Sequence, residues 1–154
     1  MEDKSYRHCA SFGKRIEHYL IGHMLREGLD VYIPMVDDDA IDVVVKRPDG
    51  KYVEIQIKAR SKDVGDGAAA LFAAIRHEHR DNYWFVFYSE RLDSMWIMSS
   101  AEFINEANRN KSGDNVGKRS IKFNGMKNSK EYCLEKFDKY KSTSFTRIIN
   151  EEPK

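Results

Sequence analysis

Ile41-Asp42-Val43-Val44-Val45-Lys46, followed by Arg47-Pro48-Asp49-Gly50-Lys51 and Tyr52-Val53-Glu54-Ile55-Gln56-Ile57-Lys58, is the stretch on which this chain turns. Two β-rich runs flank Pro-Asp-Gly, a turn signal with a mechanism. Proline presets φ, aspartate bonds its own backbone, and glycine accepts positive φ. The stretch therefore reads as a hairpin. Side chains alternate faces along a strand, so Val53, Ile55 and Ile57 point one way and Glu54, Gln56 and Lys58 the other. Asp42 opens the first strand of the pair. An aspartate, a carboxamide and a lysine on adjacent strands can hold a divalent cation and the oxyanion beside it.

Working outward, residues 11–27 carry apolar residues at helical spacing (Phe12, Ile16, Leu20, Met24), with Glu17 on the same segment and Gly28 as the C-cap. Residues 29–35 read as a short strand ended by Pro34, and 36–40 as a loop. Beyond the hairpin, whose second strand is read as 52–59, residues 68–79 begin Ala-Ala-Ala and read as an alanine-rich helix. Tyr83 to Tyr88 is apolar on both faces, the pattern of a buried strand, and 94–98 is a further strand. Ser99-Ser100-Ala101-Glu102 is a capping box opening a helix to about Asn108. Residues 108–118 read as a polar loop, 120–123 as a strand, 129–140 as a last helix, and 141–154 as a flexible tail. The expectation is one α/β domain over residues 1–140, with helices flanking a mixed central sheet of about four to six strands.

A helix bearing glutamate, a strand opening with aspartate, a strand ending in acid or amide-x-lysine, then a helix and a central strand, resembles the PD-(D/E)XK nuclease superfamily. The likeness is strongest to Holliday-junction-resolvase-like proteins, Mrr-type restriction endonucleases and small phage or intron-borne homing endonucleases. It implies the restriction-endonuclease-like fold and a Mg²⁺-dependent DNA endonuclease hydrolysing phosphodiester bonds, with Mn²⁺ able to substitute. It places the helical glutamate at Glu17, the aspartate at Asp42, the second acidic position at Gln56 and the lysine at Lys58. Glu17, Asp42 and Gln56 would hold the metal, and Lys58 would stabilise the charge developing on the phosphate. Gln56 departs from the family pattern: an amide oxygen ligates without adding charge, so Gln56→Glu is expected to tighten metal binding. The alternative is a catalytically weak or inactive nuclease-fold module that only binds nucleic acid.

With 26 basic against 25 acidic residues, net charge gives no bias toward nucleic acid, so any DNA affinity rests on local patches. The candidates are Arg60 and Lys62 beyond the motif lysine, and Lys111 and Arg119 farther on. Glu54 reads as facing solvent beside Lys46 or Lys51. Asp37-Asp38-Asp39 reads as a charged turn, with Asp39 nearest the mouth of the site. His8, His18 and His23 read as surface histidines and His77-Glu78-His79 as a polar helix end. Cys9 and Cys133 have no CxxC partner and read as reduced thiols. With no apolar leader and no apolar run of about 18 residues, neither signal peptide nor membrane span is expected, and the compartment read is cytoplasm. Cutting two backbones in concert uses two copies, so a homodimer or higher homo-oligomer is expected. The alanine face (Ala69, Ala70, Ala73, Ala74) and the strands around Trp84 and Trp96 are the candidate contacts. A third reading makes the chain a structural protein associating through that face.

Overall fold

Strand β5 (Tyr83–Ser89) is apolar at almost every position and must be covered on both sides. The computed structural model, which describes residues 9–151, does this with two layers. His8 and the Cys9 side chain lie outside the described residues. The main sheet has the order β1 (Asp30–Tyr32), β2 (Val43–Lys46), β3 (Tyr52–Arg60), β5, β6 (Ser94–Ser99). β3 pairs with β5 in parallel and all other neighbours are antiparallel, so the sheet is mixed, as expected.

The first face is covered by α1 (Cys9–Arg26), whose Leu20, Ile21 and Met24 pack on Val43, Val45, Val53, Ile55, Ile57, Trp84 and Val86. Gly28 closes α1 at φ +86°. Leu29 N–H bonds the Met24 carbonyl and Gly28 N–H that of Leu25, the paired bonds of a left-handed helix cap. The hairpin turn forms as its residues require: Gly50 takes φ +85° and Lys51 N–H donates to Asp49 Oδ1 at 3.0 Å.

The second face is covered by a three-stranded sheet of β4 (Leu71–Ile75), β8 (Arg119–Lys122) and β7 (Asn108–Arg109), together with α2 (Ser100–Glu106). Phe72, Ile75, Ile121 and Phe123 meet Phe85, Phe87 and Phe103 there. The capping box holds: Ser99 accepts from Glu102 N–H, and Glu102 accepts from Ser99 N–H.

Three expectations are corrected. Residues 71–75 form β4, not an alanine-rich helix. A segment this short gains too little from helix propensity alone, whereas β8 offers backbone partners and the aromatic layer takes Phe72 and Ile75 together. An irregularity between them, with Ala74 at φ +56°, lets both turn inward. The residues expected to form a helix over 129–140 split. β9 (Asn124–Lys127) and β10 (Lys130–Cys133) form a hairpin, and only Glu135–Tyr140 is helical, as a 3₁₀ helix. Glu131, which helical spacing made a solvated residue, is half-buried and fully engaged: it pairs with Arg91 and accepts from Ala69 N–H and Asn124 Nδ2. The tail past 141 is anchored by α3 (Thr146–Asn150), with Phe145 and Ile148 fully buried on the α1 side. Phe145 N–H bonds the Glu27 carboxylate, and Arg147 pairs with Glu102.

Of the proposed contact surfaces, Ala69, Ala70, Trp84 and Trp96 have no exposed area, while Ala73 and Ala74 are exposed on β4. Among the described residues no helix is long and apolar enough to cross a membrane.

Two substitutions test this packing. Phe145→Ala should cost about 3–5 kcal/mol of stability through the cavity it leaves. Glu131→Ala should cost about 3 kcal/mol because it strands Arg91 and two N–H donors. Denaturant unfolding reads both, and a loss below 0.5 kcal/mol, the size of an ordinary surface substitution, would contradict the observed packing.

Candidate active site at the open end of β3

β3 runs to Arg60, but β2 pairs with it only from Val43, opposite Ile55. Just outside that register, Asp42 N–H donates to the Ile55 carbonyl at 2.9 Å. The Asp42 Oδ2 accepts from Ile57 N–H at 2.6 Å. The carboxylate thus takes the acceptor place that a continuing β2 backbone would fill, and beyond it this side of β3 lies open. Val53, Ile55 and Ile57 belong to the α1 core, so the alternation expected for β3 holds and Glu54, Gln56 and Lys58 face the other way.

Five charged groups act on one another around this opening: Asp42, Glu17, Asp37, Lys58 and Lys14. Burial raises the Asp42 pKa to about 6; the Ile57 hydrogen bond opposes this, the charges of Glu17 and Asp37 add to it, and Lys58 lowers it. Glu17, on α1, is buried and takes a 2.9 Å salt bridge from Lys14 one turn earlier. Lys14 also lies in the field of Asp42 and Asp37. Glu17 and Lys58 therefore both act on the Asp42 carboxylate. Asp37, not Asp39, is the member of the acidic triplet that acts on Asp42.

Gln56 has a partner that the sequence did not signal. The Tyr83 hydroxyl lies 3.3 Å from Gln56 Oε1 and donates to the Ala40 carbonyl at 2.5 Å. Burial keeps the Tyr83 phenol protonated, its pKa pushed well above the ordinary tyrosine value. Ala40 sits at φ +55°, a left-handed conformation costly for a residue with a Cβ. Glu54 is not a free solvent-facing residue beside Lys46 or Lys51. It pairs with Arg80 at 2.6 Å, and Arg80 also donates to the Asp39 carbonyl and stacks over the Tyr83 ring. Arg80 and Tyr83 reach the site only through tertiary packing, whereas Lys14 carries a local signal, its i,i+3 spacing to Glu17 on α1.

The expected nucleic-acid residues divide in two. Arg60 lines, with Lys58, Ala59, Phe72, Ala73 and Ile75, a groove between the end of β3 and β4, and Lys62 is exposed just beyond it. Lys111 and Arg119 belong to the β7–β8 hairpin, where Arg119 stands opposite both Ile75 and Arg109. His18 is exposed on α1. His77 is no polar helix end: it stacks on Tyr83, meets Phe85 and Phe103 edge-on and bonds Ser100 Oγ at 2.7 Å.

Among the described residues no three His, Cys, Asp or Glu side chains form a ready cluster for a metal ion. The donor set here is two carboxylates and an amide oxygen. Its chemistry suits a hard divalent cation that keeps most of its waters, and the mutual repulsion of the acids around Asp42 is what such a cation would relieve.

The pH dependence of stability follows from these environments. Asp42 ionises near 3.8 ordinarily and near 6 when folded, so its stabilising contribution is complete below about pH 4 and is lost as pH rises through 6. Burial, with nearby positive charge, lowers His77 to about 4. Its contribution is complete above its ordinary 6.5 and is lost as pH falls toward 4. The two offset each other between pH 6 and 4. Asp42→Asn should stabilise the protein at pH 7.5 by about 1–2 kcal/mol after allowance for partial exposure. The gain should vanish near pH 4, leaving a steeper acid loss from His77. Thermal unfolding at several pH values checks this, and a gain independent of pH would contradict it.

No family model matches the chain and no curated protein does. Among solved structures it is similar to a bacterial homing endonuclease, I-Ssp6803I, with a TM-score of 0.56 and 19% identity over 87% of this chain and 86% of that one. The likeness establishes a nuclease-like mixed α/β fold for this protein.

Proposed function

We propose that the chain is a DNA endonuclease that hydrolyses phosphodiester bonds with a divalent cation, in the PD-(D/E)XK manner with glutamine at the second acidic position. The observation that carries this is the shared field of Glu17, Asp42 and Lys58 where β2 stops pairing with β3. The neighbouring Gln56 amide and the Lys58–Arg60 groove add to it. The solved structure of similar fold is a homing endonuclease, which supports the same substrate class.

Glu17, Asp42 and Gln56 would hold Mg²⁺, or Mn²⁺ in its place. When bound, the cation polarises the phosphate and lowers the pKa of a bound water. The chain's own residues do the rest. Lys58 sets a compact positive charge against the negative charge that builds on the phosphate in the transition state. Arg60 and Lys62 continue that charge along the groove. The β7–β8 hairpin carries Arg109, Lys111, Lys118 and Arg119 against Asp114, a local basic arm on a near-neutral protein suited to phosphate contacts. Concerted cutting of both strands would use two copies, joined through a face that does not include the buried Ala69, Ala70, Trp84 and Trp96.

The second reading, a nuclease-fold module that binds DNA without cutting, is favoured by the amide at position 56, which adds no charge for a cation, and by the near-neutral net charge. Incubation with supercoiled, linear and four-way-junction DNA in Mg²⁺, Mn²⁺ or chelator separates the two. Metal-dependent nicking is expected. Salt-dependent binding with no cutting in either metal would select the module. Lys58→Ala should lower cleavage by at least about 100-fold with an unchanged unfolding temperature, and retained cleavage would remove its assigned role. Lys111→Ala and Arg119→Ala should each reduce the salt slope of DNA binding by about one and leave sequence preference unaltered.

A further inference from the structure

We propose that Tyr83 is a positioning residue that orients the Gln56 amide, and that its hydroxyl is why position 56 holds an amide rather than a carboxylate. The inference rests on the reading of Gln56 as a site ligand. Tyr83 is fully buried at the start of β5. Its ring is fixed by His77 stacked at 5.1 Å and by the Arg80 guanidinium 4.5 Å from its centre. The hydroxyl has one proton and two neighbours, the Ala40 carbonyl at 2.5 Å and the Gln56 Oε1 at 3.3 Å. The shorter contact takes the proton.

Gln56 is then left facing a phenol lone pair. The two ends of a carboxamide are nearly isosteric, and half a turn of the last bond exchanges them. Such a turn presents the NH₂ group to the phenol oxygen, satisfies both, and frees the carbonyl oxygen for the site. A carboxylate cannot do this, having no donor. It would either meet the lone pair or draw the Tyr83 proton away from Ala40. The second course undoes a clamp, because Ala40 is held at φ +55° two residues before Asp42. A carboxylate at position 56 would also add a negative charge on the face that carries Glu54, next to Asp42 and Asp37. The simple expectation that Gln56→Glu tightens the cation therefore changes: it should do so only where the Tyr83 hydroxyl is absent.

The test is a four-protein cycle of the full chain: unaltered, Tyr83→Phe, Gln56→Glu and the double variant. Tyr83→Phe keeps the buried ring, and thermal unfolding of each protein confirms that it is folded. In the metal-free protein, the Gln56 side-chain NH₂ resonances should shift and exchange faster on Tyr83→Phe. In Mn²⁺ calorimetry, Gln56→Glu should leave affinity unchanged or lower with Tyr83 present, and raise it about tenfold in the Tyr83→Phe background. An equal gain in both backgrounds would overturn the proposal. If no protein in the cycle binds Mn²⁺, the cation reading of the site fails, and the NH₂ resonances alone decide the positioning role. A shift upholds it and no shift overturns it.

Discussion

A strand with no polar face can exist only between two apolar layers, and β5 imposes that constraint on the whole chain. Trp84 and Val86 belong to the core under α1, while Tyr83, Phe85 and Phe87 belong to the core under β4, β8 and α2. Sheet, helix layer and ribbon layer follow from covering those two faces, since burial of aromatic and branched side chains is the main favourable term available to a domain this size. β3, paired in parallel with β5, inherits the division. Its valine and isoleucines serve the first core, so its polar residues are turned together toward the second side.

That opening carries a cost in stability. Asp42 is ionised at neutral pH although burial and two neighbouring acids oppose it, and Ala40 holds a conformation that favours glycine. Both are maintained by groups that belong to the rigid sheet or are anchored against it: Ile57 N–H on the Asp42 carboxylate, the Tyr83 hydroxyl on Ala40, and Arg80 on Asp39. Local strain and unrelieved charge held in place by a stiff surrounding are what a preorganised catalytic or binding site looks like energetically. The same interactions brace the residues around the opening, and Arg80 ties Glu54 to them.

Charge is organised locally on a chain of almost zero net charge. Acids gather at the open end of the sheet, and lysine and arginine gather in the adjoining groove and on the β7–β8 hairpin. The half-buried Arg91–Glu131 pair works differently: it joins the turn between β5 and β6 to the β9–β10 hairpin, and Glu131 also accepts from Ala69 N–H in the loop after β3. Proximity in sequence does not distinguish these uses; burial and partners do.

The sequence by itself determined the elements whose signals are local. The period of α1, the Pro-Asp-Gly turn, the alternation of β3, the two-sided apolarity of β5 and the capping box of α2 each encode structure within a few residues. The alternation that turns Glu54, Gln56 and Lys58 away from the α1 core was legible in the same way, because side chains on a strand alternate faces. Only the tertiary structure decided the rest. Ala69 to Ile75 prefers helix in isolation, yet its partner strand lies about fifty residues on, and hydrogen bonds to β8 together with the aromatic layer outweigh so short a segment's propensity. Glu131 reads as a surface residue until Arg91 is brought to it, and Phe145 as part of a tail until α1 and Glu27 receive it. Asp37, Arg80 and Tyr83 enter the site only when the chain has folded, because a single hydroxyl proton or guanidinium acts over a few ångströms of space and leaves no periodic trace in sequence.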